Sequence, residues 1–364
     1  MGFRCGIAGL PNVGKSTIFN ALTAAGIESA NYPFCTINPN VGMVQVPDPR
    51  LDRLAELVNT RRKVPARMEF VDIAGLVAGA SQGEGLGNQF LGHIRQVDAI
   101  AHVVRCFEDP NISHIDKNIE PLRDRDIVNT EFMLADLETV EKRLDKTGRQ
   151  AKSGDRTSRK ELAILEQLRA LLNEGKPARH LDYGEDGRAL LKELCLLTSK
   201  PVLYIANVRE EDIAGGNQWV QDLQQAASEE EAGVITISGP IEAELSGLEP
   251  EEQKEFLANL GMEQPGLNRL IRAGYSLLGL INFFTVDEKE TRAWTVPKDC
   301  KAHQAAGIIH SDFERGFIRA EVIRYEDYIA CGSEAKVKEK GLMHLEGKDY
   351  IVQDGDCINF RFNV

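Results

Sequence analysis

One short segment limits the possible folds of this chain more than any other: residues 9–17 read GLPNVGKST. Gly9, Gly14, Lys15 and Ser16 match the pattern G-x-x-x-x-G-K-[ST], and the apolar run CGIA lies just before them. Glycines let backbone N–H groups close around phosphate oxygens, and a helix that begins there adds its positive end. The segment therefore predicts a strand, a phosphate-binding loop and a helix in direct succession, which is typical of a parallel α/β sheet.

The same loop predicts the side chains that meet a nucleotide. Lys15 places a positive charge on the β and γ phosphates, which makes it a candidate catalytic residue, and the Ser16 hydroxyl is a candidate ligand of Mg²⁺. The predicted phosphate-binding residues of the loop are Asn12, Val13, Gly14, Lys15, Ser16 and Thr17.

Two downstream segments predict the rest of the metal site. Asp72 and Gly75 lie at the end of the apolar run EFVDIAG, where the carboxylate would face the metal or its water and the glycine N–H would face the γ-phosphate. Thr36, in the segment NYPFCTINPN, is the predicted second hydroxyl ligand of Mg²⁺. The glycines of residues 79–87 favour a switch segment that responds to the γ-phosphate.

The run PVLYIANVRE raises the question of which base is bound. Guanine-specific domains carry Asn-Lys-x-Asp here, whereas this chain has Asn207, Val208 and Glu210. The longer Glu210 side chain does not keep the bidentate fit of Asp to guanine, while the Asn207 amide could pair with adenine N7 and N6. Ser238 and Gly239, in TISGP, occupy the place of the last base-contacting loop. These residues indicate that guanine selectivity is lost, but they leave the preferred base open.

The remaining pattern predicts three domains. Strand-like runs recur before residue 125 and again after residue 199, which indicates one nucleotide-binding domain formed by residues 1–125 and 199–280. Residues 126–198 carry leucines at helical spacing and predict two antiparallel helices. Their tip, residues 145–160, is basic, so it is either a solvated turn or a phosphate-contacting surface. Residues 281–364 predict a small α+β domain.

Composition narrows the function classes. The net charge of -13 excludes a polycation that coats nucleic acid, so any RNA contact must come from local basic patches. No apolar run approaches the roughly 20 residues that span a bilayer, and the first residues lack a signal-peptide layout. The seven cysteines are scattered and include no Cys-x-x-Cys pair. We therefore expect a cytoplasmic protein without a membrane partner. We also expect a monomer.

Three motifs together carry a family resemblance. The residue after Gly75 is Leu76, where Ras-like enzymes have a water-orienting glutamine. With this substitution, the segments GLPNVGKST, DIAGLVAGASQGEGLGNQF and NVRE resemble the Obg-like ATPases of the YchF family, and the resemblance covers essentially the whole chain. It implies an α/β P-loop NTPase with a Ras-like G domain, an inserted helical hairpin and a C-terminal TGS domain of ubiquitin-like β-grasp fold.

The resemblance also implies a function. It implies slow Mg²⁺-dependent hydrolysis of ATP, K⁺-responsive activity and association with a ribosomal subunit or RNA, as a switch linked to translation or stress. It makes His114 the substitute water-positioning residue and Asn12 the K⁺ ligand. Two alternatives stay open: a GTPase of translation, and a non-catalytic ribosome- or RNA-binding regulator for which the nucleotide is a conformational ligand.

Overall fold

The computed structural model describes residues 3–26, 41–73, 86–113, 118–152 and 155–363. The strands, in chain order, are β1 (Arg4–Ala8), β2 (Val41–Gln45), β3 (Lys63–Val64), β4 (Arg67–Asp72), β5 (Ala99–Arg105), β6 (Val202–Asn207), β7 (Gly233–Ile237), β8 (Leu280–Val286), β9 (Thr291–Pro297), β10 (Phe317–Ile323), β11 (His344–Glu346) and β12 (Cys357–Phe362).

The helices, in the same order, are α1 (Lys15–Gly26), α2 (Pro49–Leu57), α3 (Leu86–Arg95), α4 (Pro121–Ala151), α5 (Arg156–Asn173), α6 (Gly184–Leu194), α7 (Gln218–Glu229), α8 (Gly239–Leu245), α9 (Pro250–Asn259), α10 (Gly266–Leu277), α11 (Ala302–Ile309), α12 (Ser311–Arg315), α13 (Tyr325–Cys331) and α14 (Glu334–Glu339). Two short 3-10 turns lie at Ala178–His180 and Glu210–Asp212. Among the helices of these described residues, none is both long and apolar enough to cross a membrane.

The chain forms two compact units. The first contains Met1–Met43 and Glu69–Leu270, and the second contains Val44–Met68 and Ile271–Val364. The helical segment after residue 121 belongs to the first unit, while the segment before residue 69 joins the C-terminal residues in the second. The sequence-based division into three domains, with boundaries at 125, 199 and 281, is not tested by this grouping and stays a prediction.

A parallel sheet organises the nucleotide-binding part of the chain, as the sequence predicts. Its strand order is β2-β4-β1-β5-β6-β7, and β1 pairs in parallel with both β4 and β5. Every residue of β5 and β6 is buried, because helices cover both faces of the central strands. The carboxyl ends of parallel strands meet at one edge of a sheet, so the residues that follow β1, β4, β6 and β7 converge there.

The two predicted antiparallel helices are α4 and α5. α4 starts at Pro121, before the predicted boundary at residue 126, because a proline fits the first helical turn. It continues to Ala151, so much of the basic tip is helical rather than a turn. Residues 152–155 alone connect the two packed helices, which must therefore run antiparallel. Their shared core contains Val140, Leu165 and Leu168, all fully buried.

The second unit is built on a mixed sheet of order β11-β10-β12-β8-β9-β3. β10 pairs antiparallel with β11 and β12, while β12 meets β8 in parallel. The core between this sheet and α11 includes Phe283, Val296 and Ala305, each 0% exposed. The mixed α/β arrangement agrees with the fold class expected for the C-terminal region. The sequence did not predict β3, whose two residues pair with β9.

Candidate functional site

The predicted phosphate-binding loop lies between the end of β1 and the start of α1. Its backbone has positive φ at Gly9 (149°), Asn12 (62°) and Gly14 (97°). A Cβ at Gly9 would lie 2.5 Å from the Val103 carbonyl oxygen, and one at Gly14 would lie 2.2 Å from Asn207 Nδ2. Both glycines are thus required by backbone conformation and by close approach. Turns of this kind direct N–H groups into an anion-binding concavity.

Lys15 and Asp72 form the charged centre of the site. Lys15 is 7% exposed, and its Nζ donates to the Leu10 carbonyl oxygen at 2.6 Å. Burial lowers the pKa of Lys15 to about 8, against the opposing effect of the Asp72 charge. Burial likewise raises the pKa of Asp72, although Lys15 opposes that shift. Asp72 Oδ1 is buried and has no hydrogen-bond partner among the described residues. A buried acceptor left open beside a desolvated cation points to a ligand.

We expect nucleotide affinity to fall as the pH rises above about 8. Only the protonated Lys15 attracts phosphate, and in the nucleotide-free protein its pKa is about 8. Binding should weaken up to about tenfold for each further pH unit, until the pKa of the complex is reached. Titration with a fluorescent ADP analogue from about pH 7 to about pH 9.5, with saturating Mg²⁺, measures the effect. A Lys15→Arg protein should give a flat profile, since guanidinium stays charged. Constant affinity in the parent protein would contradict the lowered pKa.

The described residues fit a Mg²⁺ ion. The Ser16 and Thr17 side chains are exposed at the start of α1, and the open Asp72 Oδ1 supplies a carboxylate oxygen. Hydroxyl and carboxylate oxygens, with phosphate and water, are the ligands that Mg²⁺ prefers. Within the described ranges, no group of three or more His, Cys, Asp or Glu residues could hold a metal. Two predicted partners, Thr36 and Gly75, lie outside the described residues.

Asn207 connects two loops of the site. Its side chain is 2% exposed, and its Nδ2 donates to the Val13 carbonyl oxygen at 2.9 Å. Its Oδ1 accepts from the Gly239 N–H at 3.0 Å. A Cβ at Gly239 would lie 3.4 Å from Thr17 Cγ2, so the loop after β7 packs against the start of α1. Sequence reasoning missed this bracing contact. These bonds use one hydrogen of the Asn207 Nδ2 and one lone pair of its Oδ1. The predicted pairing with adenine would need the remaining hydrogen and lone pair of the same amide.

The other predicted base-contacting residues differ in exposure. Val208 is 2% exposed, and its N–H donates to the Ile237 carbonyl oxygen at 2.9 Å. Its side chain has almost no free surface for packing on a base. Glu210 is exposed and opens the 3-10 turn Glu210–Asp212. Ser238 is 1% exposed. Its side chain is therefore not free to contact a base, which is compatible with the predicted contact through its backbone.

The loop after β5 reaches the phosphate-binding loop. Asn12 Nδ2 donates to both the carbonyl oxygen and the Oγ of Ser113, at 3.2 Å each. This contact orients the amide of Asn12, the predicted K⁺ ligand. The next residue in the chain is His114, the predicted water-positioning residue, which lies outside the described residues.

Comparison with known proteins identifies the family. A family model described as "50S ribosome-binding GTPase" matches residues 4–135. A second, the C-terminal model of YchF GTPases, is described as a "Protein of unknown function" and matches residues 280–363. A relative from Bacillus subtilis strain 168, named "Ribosome-binding ATPase YchF", is 56% identical over the full length of both chains. The chain belongs to the YchF family. The YchF relative from Escherichia coli O157:H7 bears the same name and is 53% identical over the whole of both chains.

Solved structures agree with this family. The Schizosaccharomyces pombe protein described as a "YchF GTPase" has a TM-score of 0.89 and 37% identity, with 99% of this chain and 98% of that chain covered. A GTP-binding protein from Pyrococcus horikoshii OT3 has a TM-score of 0.62 at 20% identity, covers 99% of this chain with all of its own, and supports the fold alone. The names of these YchF relatives disagree on the nucleotide, because the bacterial ones are called ATPases and the yeast one a GTPase.

Proposed function

We propose that this chain is a Mg²⁺-dependent ATPase that binds the ribosome and acts as a nucleotide-dependent switch in translation or stress. Relatives that share 53–56% identity over their full length carry the name of a ribosome-binding ATPase. The observation that carries the chemical part is the buried Lys15 cation beside Asp72, whose Oδ1 lacks a hydrogen-bond partner among the described residues. A positive charge within a glycine-rich loop binds phosphate, and a carboxylate oxygen without a partner can accept a hydrogen bond from a metal-bound water.

The protein's own residues bind and orient the triphosphate. The N–H groups of the loop and the Lys15 ammonium hold the β and γ phosphates, while Ser16 and, we propose, Thr36 hold the metal. Asp72 would hold a water of that metal through Oδ1. When bound, Mg²⁺ neutralises charge that develops on the β and γ oxygens. We propose that His114 orients the attacking water, because the Leu76 side chain has no hydrogen-bonding group.

We propose that ATP rather than GTP is the substrate. The Asp that accepts both guanine donors in Asn-Lys-x-Asp is replaced by Glu210, and a longer side chain does not keep that bidentate geometry. Asn207, Ser238 and Gly239 complete the proposed base site, together with the backbone of Val208, whose side chain is buried. The Asn207 brace joins the two loops of this site through the backbone atoms of Val13 and Gly239.

Competition between nucleotides tests this choice. With a fluorescent ATP analogue bound, we expect unlabelled ATP to displace it at a concentration at least about tenfold lower than GTP, since mismatched polar groups at a base cost free energy. A Glu210→Asp variant restores the guanine-type carboxylate. It is expected to reduce the difference between the ATP and GTP concentrations that displace the analogue. If GTP displaced the analogue at least as well as ATP, the proposal of ATP as the substrate would be wrong, and the alternative of a GTPase, the name given to the yeast relative, would be favoured. ATP binding without phosphate release, even in the presence of ribosomes, would favour the alternative of a non-catalytic ribosome- or RNA-binding regulator.

We propose that the hairpin tip contacts ribosomal RNA. Arg149 lies at the end of α4, Lys152 directly follows that helix and Arg156 begins α5, and all three side chains are exposed. A local cationic group of this kind on a chain of net charge -13 is suited to phosphate contact.

Charge reversal of Arg149, Lys152 and Arg156 to glutamate is expected to weaken ribosome binding and to make it less sensitive to salt. Each lost phosphate contact should reduce the slope of log affinity against log salt by roughly one. Co-sedimentation with ribosomes over a salt series measures both effects. Reversal of Lys336, Lys338 and Lys340, an equally exposed cluster of the second unit, is the control. An unchanged slope in the tip variant would refute this placement of the contact.

We further propose that K⁺ supports turnover through Asn12 and that the chain works as a cytoplasmic monomer. Ribosome binding supports that compartment. The orientation of the Asn12 amide supports the K⁺ role, because its nitrogen is held by Ser113.

A further inference from the structure

One buried charge in the nucleotide-binding unit has no part in the site described above. Arg105 is the last residue of β5 and is 1% exposed. Its guanidinium donates to three carbonyl oxygens of the next loop. These bonds join Nε to Phe107 at 3.1 Å, Nη1 to Ile112 at 3.2 Å and Nη2 to Asp109 at 3.3 Å. The guanidinium also lies over the Phe107 ring, 4.6 Å from its centroid.

These bonds give shape to a segment without helix or strand. Residues 107–113, called here the 107–113 loop, have no regular secondary structure. A planar guanidinium with five fixed donors can hold several carbonyls at once. Burial lowers the pKa of the Arg105 guanidinium, and the carboxylates of Asp109 and Asp124 oppose that shift. Loss of the guanidinium would leave the three loop carbonyls without this donor, and the loop would shift.

The far end of the 107–113 loop meets the phosphate-binding loop. Ser113 accepts both hydrogen bonds of the Asn12 Nδ2, although Asn12 itself is exposed. An amide whose nitrogen faces Ser113 must direct its oxygen elsewhere. Because the Asn12 side chain is exposed, packing alone does not fix its rotamer. The orientation of its amide therefore depends on where Ser113 lies.

We propose that Arg105 is a positioning residue of the phosphate site: it shapes the 107–113 loop so that Ser113 holds the Asn12 amide with its oxygen available to the cation at the nucleotide. This inference rests on the proposed function for the identity of the reaction. The contact between the loops is independent of it, since it consists of the hydrogen bonds of Arg105 to the 107–113 loop and of Asn12 to Ser113, none of which involves the nucleotide.

A double-mutant cycle tests whether Arg105 acts through Asn12. We expect Arg105→Ala and Asn12→Gly each to lower kcat/KM for ATP in KCl by about tenfold, and the double variant to be within about twofold of Asn12→Gly alone. Glycine is chosen because it tolerates the positive φ of 62° at this position. The concentration of K⁺ for half-maximal activity should also rise in Arg105→Ala, and should not change further in the double variant.

Two further variants guard against a folding artefact. Arg105→Lys keeps the charge but cannot serve three carbonyls in one plane, so it should show the same coupling to Asn12 with a smaller loss. Arg143→Ala, which removes the ion pairs of α4 with Glu161 of α5 and with Glu193 of α6 in the same unit, should leave kcat/KM unchanged. Losses that multiply in the double variant, or an Arg105→Lys protein of parental activity, would overturn the inference.

The proposed function and the positioning role of Arg105 can be overturned independently of each other. A parent protein without ATP turnover would overturn that proposal and leave the inference in place. The same cycle is then measured on the dissociation constant of a fluorescent ATP analogue. Coupled losses between Arg105 and Asn12 would support the positioning role, and independent losses would overturn it.

Discussion

Replacing Gly14 with alanine is expected to weaken nucleotide binding by at least about a hundredfold. The backbone at Gly14 has φ of 97°, where a side chain costs roughly 1–3 kcal/mol. The added Cβ would also lie 2.2 Å from Asn207 Nδ2, closer than any real contact. Since Asn207 is fixed by hydrogen bonds at both ends of its amide, the phosphate-binding loop must move instead. Its N–H groups would then no longer converge on the phosphates.

Titration with a fluorescent ATP analogue measures the loss, and circular dichroism shows whether the variant is folded. Gly148→Ala is the matched control, because Gly148 lies within α4 and no atom lies within 4 Å of its Cβ position. That variant should bind nucleotide normally and be slightly more stable, since alanine favours a helix. A Gly14→Ala protein within about threefold of the parental affinity would contradict the geometry described for this loop.

The phosphate-binding loop is the part of the site that sequence predicts best. Gly9 and Gly14 act through local backbone conformation, and Lys15 follows them at the start of α1, so a local pattern carries the information. The central strands of the parallel sheet follow for the same reason, because β5 and β6 are largely apolar.

Contacts between distant segments are the part that sequence does not predict. The Asn207 brace joins Val13 to Gly239, residues far apart in the chain. Arg105 ends a largely apolar run, and nothing in that pattern indicates that it is 1% exposed. Its guanidinium donates to three carbonyl oxygens that only the folded loop brings together. In both cases backbone atoms, which leave no pattern in the sequence, are the partners.

The second unit shows the same limit. The alternation of Ile358, Phe360 and Phe362 with polar residues predicts a half-buried strand. Ile358 and Phe360 are 3% and 6% exposed, as this pattern requires, but Phe362 at the end of β12 is 40% exposed. The joining of Val44–Met68 to this unit was not predicted. The pairing of β3 with β9 links residues more than two hundred positions apart, and a two-residue strand has no periodicity to detect.

Replacing Asn207 with aspartate is expected to abolish nucleotide binding near neutral pH and to restore part of it in acid. The carboxylate has no hydrogen to donate to the Val13 carbonyl oxygen, which the Nδ2 reaches at 2.9 Å in the parent. At a position 2% exposed, burial and the facing carbonyl should raise the pKa of the new carboxyl group. Below that pKa the protonated group can donate to Val13 while still accepting from Gly239. The affinity of the Asn207→Asp variant for nucleotide should therefore rise as the pH falls.

The acid recovery separates the brace from general destabilisation. Asn207→Ala removes both bonds at once, so it should lose at least about tenfold in affinity and show no recovery with pH. Asn282→Ala removes an amide that is also 2% exposed, but in the second unit. It should lower the free energy of unfolding and leave nucleotide affinity unchanged. Fluorescent nucleotide titrations between about pH 5 and about pH 8 compare the three. If Asn207→Asp bound nucleotide equally across that range, the hydrogen bond to Val13 would not be what holds the two loops together.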